Sequence, residues 1–157
     1  MNSMFKSIPL LVLLSINTAH AQNVTRNLVV CGGGTLPATV FNKFRKMAGD
    51  APKLVLIPTA SQREYKLSEA KKLWAKRGFE QVNIFRPANP KESISDKEME
   101  LLKSASAVWI GGGSQQRLAD SFLGTQVETE LIRLADHGVV IGGTSAGAAF
   151  QTKIMKI

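Results

Sequence analysis

One serine in the sequence occupies a position that suits a nucleophile: Ser145, within Gly143-Thr144-Ser145-Ala146-Gly147. This pentapeptide has the form G-x-S-x-G, in which a strained turn between a strand and a helix lifts the serine above a sheet. In such a turn the backbone N–H of the next residue, here Ala146, points at the oxyanion that forms when the serine attacks a carbonyl. The pattern therefore predicts Ser145 as a nucleophile and Ala146 as one donor of an oxyanion hole.

The same residues also have a purely structural interpretation. Residues 142–147 could form a tight turn or a phosphate-binding loop, with Ser145 capping the following helix. A dinucleotide-binding fingerprint is disfavoured, because Pro37 stands where its third glycine belongs and the second strand ends in Ile57-Pro58-Thr59 without the expected acid. What favours the nucleophile is context, since the motif follows an apolar strand and small residues come after it.

Short β-branched runs alternate with amphipathic stretches from Leu28 onward, which predicts a three-layer α/β fold with a mainly parallel sheet. Strands are expected at 28–31, 54–57, 82–85, 107–110 and 139–141, and helices at about 37–47, 64–77, 95–103 and 125–137. Capping boxes at Ser95 and Thr125 open the last two helices. Three of the strands end in glycine-rich turns, which are expected to line one crevice because the carboxyl ends of parallel strands share an edge.

Composition agrees with a single globular domain that is not built to bind nucleic acid. The chain has 157 residues, 44% of them hydrophobic, and a formal charge of +8. Its basic residues are spread over several predicted helices without interleaved aromatic residues, which indicates solvated faces. The helix at 64–77 is an example, with its lysines largely off an apolar stripe: Leu67, Ala70, Leu73 and Trp74.

The first 21 residues are typical of a secretory signal peptide. Lys6 precedes an apolar run at 8–16, and Ala19-His20-Ala21 offers an A-x-A cleavage site. The run is shorter than the roughly 20 residues that a spanning helix needs, so no stable membrane anchor is expected. The mature domain is predicted to comprise residues 22–157 and to be periplasmic or secreted.

Cys31 is the only cysteine, so the chain can form no intramolecular disulfide. Its place at the end of an apolar strand favours a buried, inert thiol over a nucleophile. Ser145 therefore remains the candidate nucleophile.

Two segments resemble those of a known family. Residues 141–149, Ile-Gly-Gly-Thr-Ser-Ala-Gly-Ala-Ala, and residues 112–118, Gly-Gly-Ser-Gln-Gln-Arg-Leu, resemble in order and spacing the cyanophycinase and dipeptidase E family of serine peptidases, and its cyanophycinase branch in particular. The resemblance runs from about Leu28 to Phe150. It implies a flavodoxin-like fold of the class I glutamine amidotransferase type, and an acyl-enzyme on Ser145 formed without a metal or organic cofactor.

The resemblance also implies roles for residues after the fourth strand. The backbone N–H of Gly113 would join that of Ala146 in the oxyanion hole, and Gln115 matches a family glutamine that lines the substrate site. Arg117 is a second candidate for substrate binding, with ordinary polarity at a helix start as the equal alternative. Cyanophycinase-like enzymes cleave aspartate-linked peptides, so the implied partner is a peptide substrate, and a homo-oligomer is left open.

A general base for Ser145 is harder to find. In the related enzymes the histidine follows the nucleophile, but residues 146–157 contain no His, Asp or Glu. His137 precedes the fifth strand whereas Ser145 follows it, so about 3.3 Å per residue puts the two roughly 20 Å apart, too far for proton transfer. His137 is instead predicted to interact with the dipole at the carboxyl end of its helix.

These observations lead to the expectation of an exported serine peptidase of which this chain is an amino-terminal, truncated portion. One alternative is another hydrolase or an amidotransferase-like activity on the same fold, because a fold does not fix a substrate. A second alternative is a catalytically incomplete fragment or a non-catalytic exported binding protein, in which the glycine turns hold a small anionic ligand.

Overall fold

The computed structural model describes residues 25–152, which form one parallel sheet and six helices. The strands are β1 (Leu28–Cys31), β2 (Lys53–Ile57), β3 (Gln81–Ile84), β4 (Ala107–Ile110) and β5 (Val140–Thr144). The helices are α1 (Ala38–Met47), α2 (Leu67–Ala75), α3 (Asp96–Lys103), α4 (Gln115–Phe122), α5 (Gln126–Asp136) and α6 (Ala146–Phe150). None of these helices has the length and apolar character needed to cross a membrane. The predicted signal peptide lies outside the described residues.

The sheet has the order β1-β5-β4-β2-β3, and every neighbouring pair is parallel. Four of the strands, β3-β2-β4-β5, follow the flavodoxin-like order, and β1 occupies the edge beyond β5. In the register, Gly143 lies opposite both Ile110 of β4 and Val30 of β1. The predicted α/β fold is confirmed, and the carboxyl ends of β1, β5 and β4 lie side by side.

The two faces of the sheet are packed differently. Under α1 and α2, five aromatic rings form one cluster with centroids 5.1 to 6.1 Å apart: Phe41, Phe44, Trp74, Phe79 and Trp109. The indole of Trp109 fills the space above Gly142, where an added Cβ would meet the ring. The opposite face, under α3, α4 and α5, is mostly aliphatic, and Ala146 of α6 joins it. Both layers of helices therefore fix β4 and β5, which form the middle of the site.

The predicted capping box of α3 is present. The Ser95 hydroxyl accepts from the Glu98 N–H at 3.3 Å, and the Glu98 carboxylate accepts from the Ser95 N–H at 3.0 Å. The Ser95 hydroxyl also donates to the Glu98 carboxylate at 2.7 Å, and this bond, together with that from the Ser95 N–H, holds the pKa of Glu98 below its usual value. At α5 the pattern differs: Thr125 accepts from the Val127 N–H, while the Glu128 carboxylate reaches back to the N–H of Gly124.

Two elements depart from the sequence-based expectation. β5 continues through Gly142 and Gly143 to Thr144, because both glycines pair with β1 and β4. A separate helix, α4, begins after Ser114, whose hydroxyl accepts from the N–H of Arg117 at 3.2 Å. This helix was not among the four predicted by periodicity and capping, although a helix start was the alternative weighed for Arg117.

The predicted apolar stripe of α2 is only half correct. Ala70 and Trp74 are buried, but Leu67 and Leu73 are 39% and 46% exposed. The helix is nine residues long and contacts the core along a narrow line, so apolar residues to either side of that line remain in solvent.

Candidate active site

Ser145 lies in the turn between β5 and α6 and is exposed. Its backbone angles, φ 51° and ψ −117°, are rare for a residue with a side chain. The Ser145 N–H donates to the carbonyl of Cys31 at 3.0 Å, which ties the turn to the end of β1. A strained, exposed serine between a strand and a helix is the geometry of a nucleophile elbow.

Both glycines of the pentapeptide are required by close packing. A Cβ at Gly147 would overlap the carbonyl of Ile110, because α6 starts directly against the end of β4. A Cβ at Gly143 would in turn overlap the carbonyl of Gly147. Ala146 and Ala148 are buried beneath the turn. Larger residues would push α6 away from the sheet and release the turn that holds Ser145.

The glycine turns after β1 and β4 flank Ser145 on its two sides. A Cβ at Gly33 would lie 3.6 Å from the Ser145 Cβ, and one at Gly112 would lie 3.2 Å from it. Thr144 adds a tie to the first turn, because its Oγ1 donates to the carbonyl of Gly32 at 2.8 Å. The prediction is confirmed for the glycine turns after β1 and β4, which lie beside Ser145, whereas Gly142 and Gly143 of the third predicted turn belong to β5.

Two backbone N–H groups at this crevice are available as donors. Within residues 25–152, the N–H groups of Gly113 and Ala146 donate to no protein acceptor. Ala146 is the first residue of α6, and the first N–H groups of a helix have no partner inside it. Gly113 has φ 145° and lies against the carbonyl of Ala60. One donor therefore lies in the glycine turn after β4, and the other lies at the start of α6, directly after Ser145.

Gln115 and Arg117 lie on the first turn of α4, directly after Gly113. The Gln115 side chain is half-buried. The Arg117 guanidinium donates through Nη1 to the carbonyl of Ala60 at 2.6 Å, and the same carbonyl accepts from the N–H of Ser114 at 2.9 Å. The structure thus engages Arg117 with the main chain, next to the predicted oxyanion donor.

The loop after β2, residues 58–63, forms a part of the site that sequence reasoning missed. It supplies the Ala60 carbonyl, and Arg86 holds its far end by donating to the carbonyls of Ser61 and Arg63 at 2.9 and 3.0 Å. The loop reaches the site because β2 lies beside β4 in the sheet. A local sequence pattern does not reveal which strands are neighbours in the sheet. In the sequence, Pro58 marks the end of β2, but it does not indicate that the following loop reaches the site.

His137 and Cys31 do not supply a base or a second nucleophile. His137 caps α5 at the amino end of β5, exposed, with Nδ1 2.7 Å from the carbonyl of Arg133. It lies at the opposite end of the strand from Ser145, as predicted. Cys31 is half-buried rather than fully buried as predicted, and this partial burial raises the pKa of its thiol.

A separate groove of about 590 Å³ lies between β1, β5, α5 and the end of α6. Leu28, Ile132 and Phe150 give it a largely apolar lining, and Ser145 is not among the residues that line it. The volume of this groove is therefore no guide to the chemistry of Ser145.

The sequence pattern of peptidase family S51 matches residues 14–157. The chain belongs to peptidase family S51. This assignment confirms the resemblance that the segments at 112–118 and 141–149 predicted. No curated protein sequence matches the chain.

Two solved structures show the same fold as this S51 chain. One is a peptidase from an acI-B1 Actinobacterium, with 23% identity and a TM-score of 0.61, which covers 80% of this chain. The other is a putative peptidase E protein from Listeria monocytogenes EGD-e, with 20% identity and a TM-score of 0.58, which covers 82% of this chain. The match spans 57% of the first protein and 61% of the second.

Proposed function

We propose that this S51 chain belongs to a serine peptidase in which Ser145 forms an acyl-enzyme with its substrate. The observation that carries the proposal is the strained, exposed Ser145 between two glycine turns, beside N–H groups of Gly113 and Ala146 that have no acceptor within residues 25–152. Structural turns rarely hold a non-glycine residue in such a conformation unless the site uses the strain. Membership of a peptidase family supports the same conclusion.

In the proposed reaction, the Ser145 Oγ bonds to the scissile carbonyl carbon while its proton passes to a general base. The carbonyl oxygen becomes an oxyanion that accepts from the N–H groups of Gly113 and Ala146, each donor being worth about 100- to 1,000-fold in rate. Collapse breaks the C–N bond as the leaving amine takes the proton, and water then hydrolyses the ester. Within residues 25–152, no histidine or carboxylate hydrogen-bonds to the Ser145 side chain, and His137 lies at the other end of β5.

For the substrate we propose an aspartate-linked peptide, bound with the help of Gln115. The cyanophycinase-like segments at 112–118 and 141–149 support this choice. The formal charge of the full chain, +8 with Lys6 of the proposed signal peptide included, is compatible with an acidic substrate. We further propose that the protein acts in the periplasm or outside the cell, after cleavage at Ala21.

The test of the nucleophile is covalent labelling with a fluorophosphonate, which reacts with activated serines. We expect the protein to be labelled at Ser145 and the Ser145→Ala variant to lose the label. His137→Ala is the matched control and should label like the parent, because His137 lies at the other end of β5. Equal labelling of the parent and Ser145→Ala would end the proposal.

The test of the substrate compares aspartyl peptides with simple esters and with glutamine. Preferential cleavage of the aspartyl peptides supports the proposed specificity, whereas preference for esters or glutamine points to another hydrolase or an amidotransferase-like activity. The position of His137 favours one rival, a non-catalytic binding protein. Tight binding of an acidic peptide without turnover, by a protein that takes no label, would establish that rival.

The proposed export is tested by mass spectrometry of the protein recovered from the producing cells. An amino terminus at Gln22 in the periplasmic or secreted fraction supports it. An intact amino terminus in the cytoplasmic fraction would refute it.

A further inference from the structure

The loop at 58–63 controls the backbone next to the proposed oxyanion hole. Gly113 is pressed so closely against the carbonyl of Ala60 that a Cβ would not fit between them. The N–H of the next residue, Ser114, donates to that same carbonyl at 2.9 Å. The Ala60 carbonyl therefore fixes the peptide group after Gly113 by a hydrogen bond, and it packs against Gly113 itself.

A single side chain fixes that carbonyl from the other direction. The Arg117 guanidinium donates to the Ala60 oxygen at 2.6 Å across 57 positions of sequence. Arg117 is half-buried, and Ala60 is fully buried. A charge-assisted hydrogen bond in such surroundings is short and strong compared with a bond between neutral groups. The carbonyl is thus held between Arg117 and the Ser114 N–H.

We propose that Arg117 is a positioning residue, which holds the oxyanion-donating N–H of Gly113 in place through the Ala60 carbonyl. This inference rests on the proposed function of Ser145. It differs from the role in substrate binding that the resemblance implied for Arg117. Loss of the guanidinium lets the 58–63 loop and the Gly113 peptide move together, so it weakens the transition state while leaving the substrate-binding surface intact.

Arg86 provides a matched control on the same loop. Its guanidinium donates to the carbonyls of Ser61 and Arg63, which follow Ala60 and lie farther from Gly113. Both arginines stabilise the loop, but only Arg117 contacts the carbonyl that touches Gly113. A general loosening of the loop would affect both variants, whereas the proposed positioning affects Arg117 variants alone.

The first measurement is amide hydrogen exchange at Ser114, which requires no activity. We expect at least about tenfold faster exchange in Arg117→Ala, because the acceptor of the Ser114 N–H loses its anchor. Arg117→Lys should restore the protection, since one donor to one carbonyl is all that the geometry requires. Arg86→Ala should leave Ser114 protected. Unchanged exchange at Ser114 in Arg117→Ala overturns the proposal, whatever Ser145 does.

The second measurement is the rate of fluorophosphonate labelling at increasing probe concentration. For Arg117→Ala we expect the maximal labelling rate to fall by about 10- to 100-fold. This is less than the loss expected on removing one oxyanion donor, because the Gly113 N–H is displaced and not removed. The half-saturating concentration should stay within about twofold, and Arg117→Lys should recover most of the rate. A rise in half-saturation with an unchanged maximal rate, or no recovery with lysine, would refute a positioning role. A parent protein without label refutes the function of Ser145 instead, and the exchange result still decides whether Arg117 anchors the turn.

Discussion

The turns after β1 and β4 have the same sequence, Gly-Gly-Gly, and very different surroundings. In the first turn, no heavy atom of the described residues lies within 4 Å of a Cβ added at Gly32 or Gly34, whereas one added at Gly33 would approach Ser145. In the second turn, residues 111–113 all have such neighbours, and the last of them lies against the carbonyl of Ala60. The two identical tripeptides thus flank the same serine in different ways. Residues 32–34 form an open wall of the site, and residues 111–113 form a packed wall.

Position in the sheet explains the difference. β1 is an edge strand with one neighbour, so its turn faces solvent on one side. β4 lies between β5 and β2, and the loop that follows β2 packs onto its turn. A catalytic donor has to be fixed before the reaction starts, which favours the packed wall for the oxyanion hole. The open wall suits the side from which a substrate arrives.

The largest expected effect is that of Gly113→Ala on the packed wall. The new methyl group would overlap the Ala60 carbonyl, and φ 145° is strained for alanine. We expect the free energy of unfolding to fall by about 2 to 5 kcal/mol, measured by urea denaturation. Labelling of Ser145 should be lost in the protein that remains folded. A decrease in the free energy of unfolding below about 1 kcal/mol would contradict the comparison. The turn after β4 would then tolerate a side chain as well as the turn after β1 does.

A smaller effect of opposite sign is expected at the residue between the walls. Ser145→Gly removes a side chain from φ 51° and ψ −117°. Relief of this strain should raise the free energy of unfolding by about 1 to 2 kcal/mol, less the entropy cost of glycine, while labelling disappears. The check is to compare the thermal denaturation of Ser145→Gly with that of Ser145→Ala. Alanine removes the hydroxyl but keeps a side chain in the strained conformation. Equal stability of the two variants would show that the turn stores no strain.

Gly34→Ala on the open wall is expected to have a modest effect. Within residues 25–152 no atom obstructs the new methyl group, so the expected cost is that of φ 91°, about 1 kcal/mol. The rate of Ser145 labelling should change little.

Gly32→Ala is the control for that variant and the smallest effect of the series, within about 0.5 kcal/mol, because it has open space and an ordinary φ. The difference between the denaturant midpoints of Gly34→Ala and Gly32→Ala measures the cost of the strained backbone conformation alone. A loss at Gly32 as large as that at Gly113 would show that both walls are packed.

The sequence was informative where one local pattern determines the structure. Ser145 is in a strand-to-helix turn because small residues surround it, and Ser95 caps α3 because its partner Glu98 stands three residues on. In both cases the deciding atoms are close in sequence. The order of strands and helices in the α/β fold followed for the same reason.

The sequence was uninformative where a distant element decides. Gly142 and Gly143 looked like a turn, yet they extend β5 because β1 and β4 pair with them. Leu73 fits the periodicity of α2, but it is 46% exposed. Arg117 looked like a group for a substrate, and its partner is a carbonyl 57 positions away. Each of these outcomes depends on which strands are neighbours.

The pairing of β1 with β5 has a consequence for the order of folding events. The hydrogen bond from Thr144 to Gly32 spans 112 positions, so this contact closes a chain loop almost as long as the domain. Contacts so distant along the chain form slowly, since the entropy of the loop is lost before any contact compensates for it. The β2-β3 and β4-β5 pairs are more local. The crevice around Ser145 is therefore expected to assemble late, after the rest of the sheet has provided a template for β1.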